Sequence, residues 1–103
     1  MTPQDFNFEI QTKYIAILMA YYNFCIEKIR ISTVLTKTPP LKTQPKVVEV
    51  ATQNGVPLSE EMLKDLIDTF TKEGWIVKNL TSANKQSMSG IKLEFSFDIT
   101  PMV

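Results

Sequence analysis

Histidine is absent from this 103-residue sequence, and cysteine and glycine are rare. Without histidine, the chain lacks the commonest general base, the commonest metal ligand and the central residue of a serine-type triad. The three glycines, Gly55, Gly74 and Gly90, lie far apart, so they form neither a phosphate-binding loop nor a dinucleotide fingerprint. These absences predict a protein that is not an enzyme and that uses no cofactor and no small-molecule substrate.

An excess of one charge is also missing, because eleven basic side chains balance eleven acidic ones. Nucleic-acid-binding domains normally have a basic excess, so the overall charge argues against that class and leaves only a local patch open. Cys25 is the single cysteine and has no partner for an internal disulfide, and no secretory signal is recognisable at the N-terminus. We therefore expect a protein of a reducing compartment that is not secreted.

A long hydrophobic run is missing as well. The most apolar segment, Tyr14 to Ile26, contains thirteen residues without a formal charge. As a helix it would be about 20 Å long, whereas the hydrocarbon core of a bilayer is about 30 Å thick. The polar residues around it lean acidic, whereas a membrane-surface helix carries lysine and arginine there. Both observations argue against a membrane role.

The first third of the chain predicts one long amphipathic helix. Thr2 is a typical N-cap, Pro3 fits the first helical position, and Asp5 faces the positive end of the helix dipole. At 100° per residue, the polar side chains fall in a sector about 100° wide and nearly all apolar side chains fall outside it. This pattern favours a helix over 3–33. The alternative is a helix over 12–28 flanked by short strands at 6–10 and 29–31.

Residues 36–46 contain three of the six prolines and no acid, and they predict an extended linker. The next segment, 47–54, is compatible with a short helix that ends at Asn54-Gly55, and a strand over 46–50 is the close alternative.

The last part of the chain has the clearest pattern. Ser59 is an N-cap for a helix over 60–73, and Gly74 is placed to end it, with Trp75 covering Phe70. Strands are predicted over 75–80 and 91–99, with Pro101 after the second. In the second strand, alternation points five side chains inward (Ile91, Leu93, Phe95, Phe97 and Ile99) and four outward (Lys92, Glu94, Ser96 and Asp98).

These elements predict an α+β fold in a single domain over 1–103. It consists of a long N-terminal helix over 1–35, the proline-containing linker, a short second element, and the capped helix packed on a C-terminal antiparallel β-hairpin. Because two strands alone are marginally stable, a third is expected from 6–10, from 47–50 or from another chain.

Charge is unevenly distributed along the chain. A basic segment over 28–46 contains no acid, and its cations are Lys28, Arg30, Lys37, Lys42 and Lys46. Glu61, Asp65 and Asp68 share the outward side of the helix predicted over 60–73, where Lys64 and Lys72 interrupt them. We interpret both as solvated surfaces that are available for charged contacts, with a partner protein or, less favoured, with phosphates.

The apolar arc of the first helix spans more than about 200°, which one short helix and a hairpin cannot fully cover. We therefore predict a protein interface on this helix, through five side chains: Tyr14, Leu18, Tyr21, Tyr22 and Phe24. Aromatic residues of this kind are common at the centres of interfaces. Burial in the chain's own core is the alternative.

The order of elements over 59–99, with SEEMLKDLIDTFTKEG leading into GWIVK, a polar connection and IKLEFSF, resembles the C-terminal half of many small proteins of tailed bacteriophages. The resemblance implies a viral, non-enzymatic protein, found in the virion or in the host cytoplasm. It leaves three hypotheses: an assembly protein that binds itself or a larger protein, an inhibitor that binds a host protein as a monomer, and a protein that contacts nucleic acid through 28–46.

Overall fold

The computed structural model describes residues 1–81 and 91–98 and shows an α+β fold. In chain order its elements are α1 (Pro3–Thr36), β1 (Lys46–Val50), α2 (Glu60–Lys72), β2 (Trp75–Asn79) and β3 (Ile91–Phe97). The predicted α+β class, with a long N-terminal helix, is therefore confirmed.

Helix α1 begins with the predicted cap. The Asp5 amide donates to the Thr2 hydroxyl at 3.1 Å, and the Thr2 amide donates back to the Asp5 carboxylate at 3.4 Å. The helix continues without a break through 6–10 and 29–31, so the alternative with short flanking strands is wrong. Its 34 residues make it about 51 Å long. This length dominates the molecule, whose extents are 56 × 37 × 21 Å and whose radius of gyration is 15.8 Å, against about 13 Å for a compact chain of this size.

The proline-containing segment returns along the sheet. Lys37 ends α1 in the left-handed conformation, with φ 56°, and two prolines follow at 39 and 40. Leu41 then bridges to Phe97, and the Phe97 amide donates to the Pro40 carbonyl at 2.9 Å. The linker is therefore held at the C-terminal end of the strand that contains Phe97.

The short helix favoured for 47–54 is wrong, because this segment forms β1 and then a turn. Val48 and Val50 point into the core, whereas Val47 and Glu49 are exposed. This is the period of a half-buried strand. Asn54 and Gly55 have φ of 54° and 72°, and the Val56 amide donates to the Gln53 carbonyl at 2.9 Å. The left-handed residues therefore make a tight turn instead of a helix cap.

The three strands form an antiparallel sheet in the order β1-β3-β2. Strand β3 pairs with both neighbours, with Leu93 opposite Val48 and Phe95 opposite Val77. This confirms the pairing of the last two strands and identifies β1 as the third. Strand β3 ends at Phe97, so the predicted strand is one residue too long at Asp98, and Ile99, Pro101 and 82–90 lie outside the described residues.

Helix α2 has the N-cap and the terminating glycine that the sequence predicts. The Ser59 hydroxyl accepts from the Met62 amide at 3.2 Å. Gly74 has a φ of 99° and donates its amide to the Thr71 carbonyl at 3.1 Å. Trp75 then meets Phe70 edge to face, with ring centroids 6.1 Å apart. Because the chain reverses at Gly74, β2 lies directly under the helix that precedes it.

Both helices pack on the same face of the sheet. Their buried side chains meet Val48, Val50, Leu93 and Phe95, and those from the helices are Tyr21, Cys25, Ile29, Met62, Leu66 and Phe70. The opposite face carries charged side chains, including Glu49, Lys78 and Lys92, together with the apolar Val47 and Ile76. Ser96, predicted to point outward, is 5% exposed because it lies on the central strand opposite Ile76, where neighbouring strands cover a small side chain.

Candidate interaction surface

The surroundings of Cys25, the single cysteine, do not favour a reactive thiol. Cys25 is fully buried in the core, and burial raises the pKa of its thiol to about 12. Such a thiol remains protonated and behaves as a small apolar side chain. Within residues 1–81 and 91–98, no three metal-ligating side chains form a cluster, and Glu61, Asp65 and Asp68 bind no common centre.

Tyr21, one of the residues predicted to contact another protein, lies in the core of its own chain with no exposed surface. Its hydroxyl donates to the Val56 carbonyl and accepts from the Gln53 amide at 3.2 Å. The side chain thus fixes α1 to the turn after β1. An intermolecular role for Tyr21 is incompatible with this burial.

The other two tyrosines connect α1 to α2. Tyr22 stacks on Phe70, with centroids 4.6 Å apart, and its hydroxyl donates to Glu73 at 2.5 Å. The hydroxyl of Tyr14 donates to Asp65. In each case the hydrogen bond to the carboxylate, followed by desolvation, raises the tyrosine pKa to about 12. These contacts cover much of the predicted interface from within the chain.

Leu18 and Phe24 are half-buried and pack against the core from α1. The Lys28 ammonium lies 5.4 Å from the centre of the Phe24 ring, a cation–π distance. The remaining surface of these two residues is therefore small.

The basic residues of 28–46 are not gathered into one patch of free cations. Arg30 pairs with Glu27 at 2.8 Å, and Lys42 pairs with Asp98 at 2.9 Å. Lys46 donates to Thr36 at 2.7 Å, and Lys37 is the left-handed cap of α1. This distribution weakens the hypothesis of nucleic-acid contact.

The apolar surface that stays exposed lies mainly outside 14–26. Met1 to Lys13 are all exposed apart from Glu9, which is half-buried, so the first turns of α1 project beyond the folded body. The large apolar side chains exposed along α1 are Phe6, Phe8, Ile10, Ile15, Met19, Ile31, Val34 and Leu35.

Part of this surface lies on one side of the helix. At 100° per residue, Phe8, Ile15, Met19 and Ile26 fall within a sector about 40° wide, about 100° from the buried stripe of α1. We call these four residues the Phe8 face. Phe8 is 72% exposed and Ile26 is half-buried. Phe6, 51% exposed, lies about 160° around the helix from Phe8.

An open groove of about 310 Å³ lies beside the C-terminal half of α1. Its walls come from α1, from Pro40 and from the ends of β2 and β3, and they include Ile26, Ile29, Thr33, Trp75 and Phe97. Among the described residues that line it, Arg30 is the one with a charge. We call this the Trp75 groove, and it adjoins the Phe8 face at Ile26.

Comparisons with known proteins identify no relative: no family model, no curated protein and no solved structure matches this chain. The resemblance of 59–99 to small phage proteins therefore stays a prediction. None of the helices in the described residues has the length and apolar character required to cross a bilayer.

Sequence reasoning missed both the exposed N-terminal turns and the groove. The helical pattern places Phe8 outside the polar sector, which is a signal that it was apolar surface. Which part of α1 projects beyond the body depends on where α2 and the sheet dock, and that depends on contacts between distant segments.

Proposed function

We propose that this chain is a non-enzymatic interaction or assembly protein that binds another protein through the exposed apolar side chains of α1. The observation that carries the proposal is Phe8, an aromatic ring that is 72% exposed on a helix segment that no other described part of the chain covers. Contiguous exposed apolar surface on a small protein commonly marks a binding site.

The position of this surface differs from the predicted one. Tyr14, Tyr21 and Tyr22 stabilise the fold, whereas Phe8, Ile15 and Met19 offer apolar area to a partner. Because the tyrosines hold α1 rigidly on α2 and the sheet, the projecting turns are presented as an ordered helix. A preformed helix loses little conformational entropy on binding.

The proposal also includes a viral origin and a location in the virion or the host cytoplasm. The resemblance of 59–99 is the only support for these two points. The partner is either another copy or a larger protein. A host-directed inhibitor would dock through the acidic surface of α2 or through a sheet edge, and α2 has no exposed large apolar side chain comparable to Phe8.

The test compares the native chain with the double variant Phe8→Ser/Ile15→Ser. We expect the native chain to bind a hydrophobic fluorescent dye or to associate with itself, and the double variant to lose either property. Both sites are exposed, so the free energy of unfolding should change by no more than about 0.5 kcal/mol per site.

Val47→Ser is the matched control, because Val47 is also an exposed aliphatic residue, 55% accessible, but lies on the outer face of the sheet. A native chain that is monomeric and binds no dye would contradict the proposal. So would a double variant that behaves like the native chain.

A further inference from the structure

The Phe8 face offers an exposed aromatic ring, and the Trp75 groove offers a recess lined mainly by apolar side chains. Phe8 projects from the part of α1 that extends past the body, and the groove lies where α1 runs over the body. A volume of about 310 Å³ is large enough for one phenyl ring. Aromatic side chains in apolar pockets are the usual anchors of protein interfaces.

Resting on the function proposed above, we propose that the partner is a second copy of this chain, whose α1 lies antiparallel on the Phe8 face. Each Phe8 ring then enters the Trp75 groove of the other copy.

The sequence of α1 fits one antiparallel register. When Phe8 is placed opposite the partner's Ile26, Ile15 falls opposite the partner's Met19, and the two-fold axis repeats both pairs. The resulting apolar seam runs from residue 8 to residue 26, about 27 Å along the helix. It lies about 100° away from the stripe that packs on α2 and the sheet, so each copy keeps its own core contacts.

Charge favours the same register. Asp5 falls within about one residue, or 1.5 Å along the axis, of the partner's Arg30. Both side chains lie on the same side of the seam, at neighbouring positions around the helix. Arg30 already contacts Glu27 at 2.8 Å, but a guanidinium has five N–H donors and can bind a second carboxylate. A parallel pairing would instead separate Asp5 from the partner's Arg30 by about 37 Å along the axis, so this ion pair could not form.

The first test measures mass by light scattering after size exclusion, with Phe8→Ser as the variant and Phe6→Ser as its control. Phe6 is an exposed phenylalanine two residues away on the opposite side of α1. We expect a native dimer at low micromolar concentration, at least tenfold weaker association for Phe8→Ser, and a change within about twofold for Phe6→Ser. Equal effects of the two substitutions would overturn the proposal.

The second test determines orientation by mixing the single variants Ile15→Cys and Met19→Cys under mild oxidation. The antiparallel register brings these two positions together across the seam, so the mixed disulfide should form faster than either homodimeric one. The native Cys25 is buried and does not compete. Preferential Ile15→Cys homodimers would indicate a parallel pairing and overturn the register.

The third test exchanges charges. Asp5→Arg and Arg30→Asp should each weaken association about threefold to tenfold, and the combined variant should restore it to within about twofold. Additive losses in the combined variant would contradict the ion pair.

The outcomes separate this inference from the proposed function. A native chain that is monomeric at about 100 µM but binds a hydrophobic dye at Phe8 would exclude the second copy as partner while leaving an interaction role. A monomer that binds no dye would remove both.

Discussion

Replacing Tyr21 by phenylalanine removes a single oxygen atom from the core. That oxygen donates to the Val56 carbonyl and accepts from the Gln53 amide, so the substitution leaves two backbone groups without their partner. Each such hydrogen bond contributes about 1 kcal/mol net. Because Gln53 and Val56 are half-buried and water can reach part of their surface, we expect a loss of about 1–2 kcal/mol in the free energy of unfolding.

Urea unfolding followed by circular dichroism measures this loss directly, and thermal unfolding should show a decrease of about 4–8 °C in Tm per kcal/mol. Tyr14→Phe is the matched control. It also removes a hydroxyl from α1, but the bond to Asp65 is on the surface, so its effect should stay within about 0.5 kcal/mol.

Equal stability of Tyr21→Phe and the native chain would refute the reasoning. It would mean that the turn at 53–56 is not held by α1. A larger effect for Tyr14→Phe than for Tyr21→Phe would place the main attachment of α1 on α2 instead.

Three further predictions follow from the core and the caps. Cys25 should not react with a thiol reagent at pH 8 in the native chain and should react fully in urea, because burial raises its pKa to about 12; fast native labelling would contradict its burial. In the folded chain the pKa values of Tyr14 and Tyr22 are raised to about 12 from the ordinary tyrosine value of 10.0. Their hydrogen bonds therefore contribute fully to the free energy of unfolding below pH 10, and this contribution is lost as the pH rises through 12. The urea midpoints of the native chain and of Tyr14→Phe/Tyr22→Phe should converge over that range. Gly74→Ala should lower the free energy of unfolding by about 1–2 kcal/mol through backbone strain alone, because φ is 99° and, among the described residues other than its chain neighbours, no atom lies within 4 Å of the added methyl group. An unchanged urea midpoint would contradict the left-handed cap.

Local signals predicted much of this fold. The caps at Thr2 and Ser59 and the glycine at 74 act through hydrogen bonds within a few residues, so the sequence specifies where α1 and α2 begin and how α2 ends. The alternation in β3 likewise predicts its inward residues Leu93 and Phe95.

The errors arose where a distant segment decides the structure. The segment Val47-Val48 is compatible with a helix or a strand, and its backbone hydrogen bonds to β3 determine that it is a strand. The alternation in β3 predicts that Ser96 is exposed, whereas the strands on both sides of it bury its side chain. The periodicity of a single segment does not predict these contacts with distant strands.

The candidate site illustrates the same limit. The apolar arc of α1 was predicted to exceed what one small domain can cover, and Phe8 and Ile15 do remain exposed. Residue type alone favours an interface for the three tyrosines. Their hydroxyl partners, Asp65, Glu73 and the turn at 53–56, lie more than 30 residues away and could not be identified from the pattern.

The most direct test of this account is the solution mass of the native chain at low micromolar concentration, measured beside Phe8→Ser. We predict a mass of twice 11.8 kDa for the native chain and a shift toward 11.8 kDa for the variant. A native mass of 11.8 kDa at every concentration, without binding of a hydrophobic dye, would contradict it.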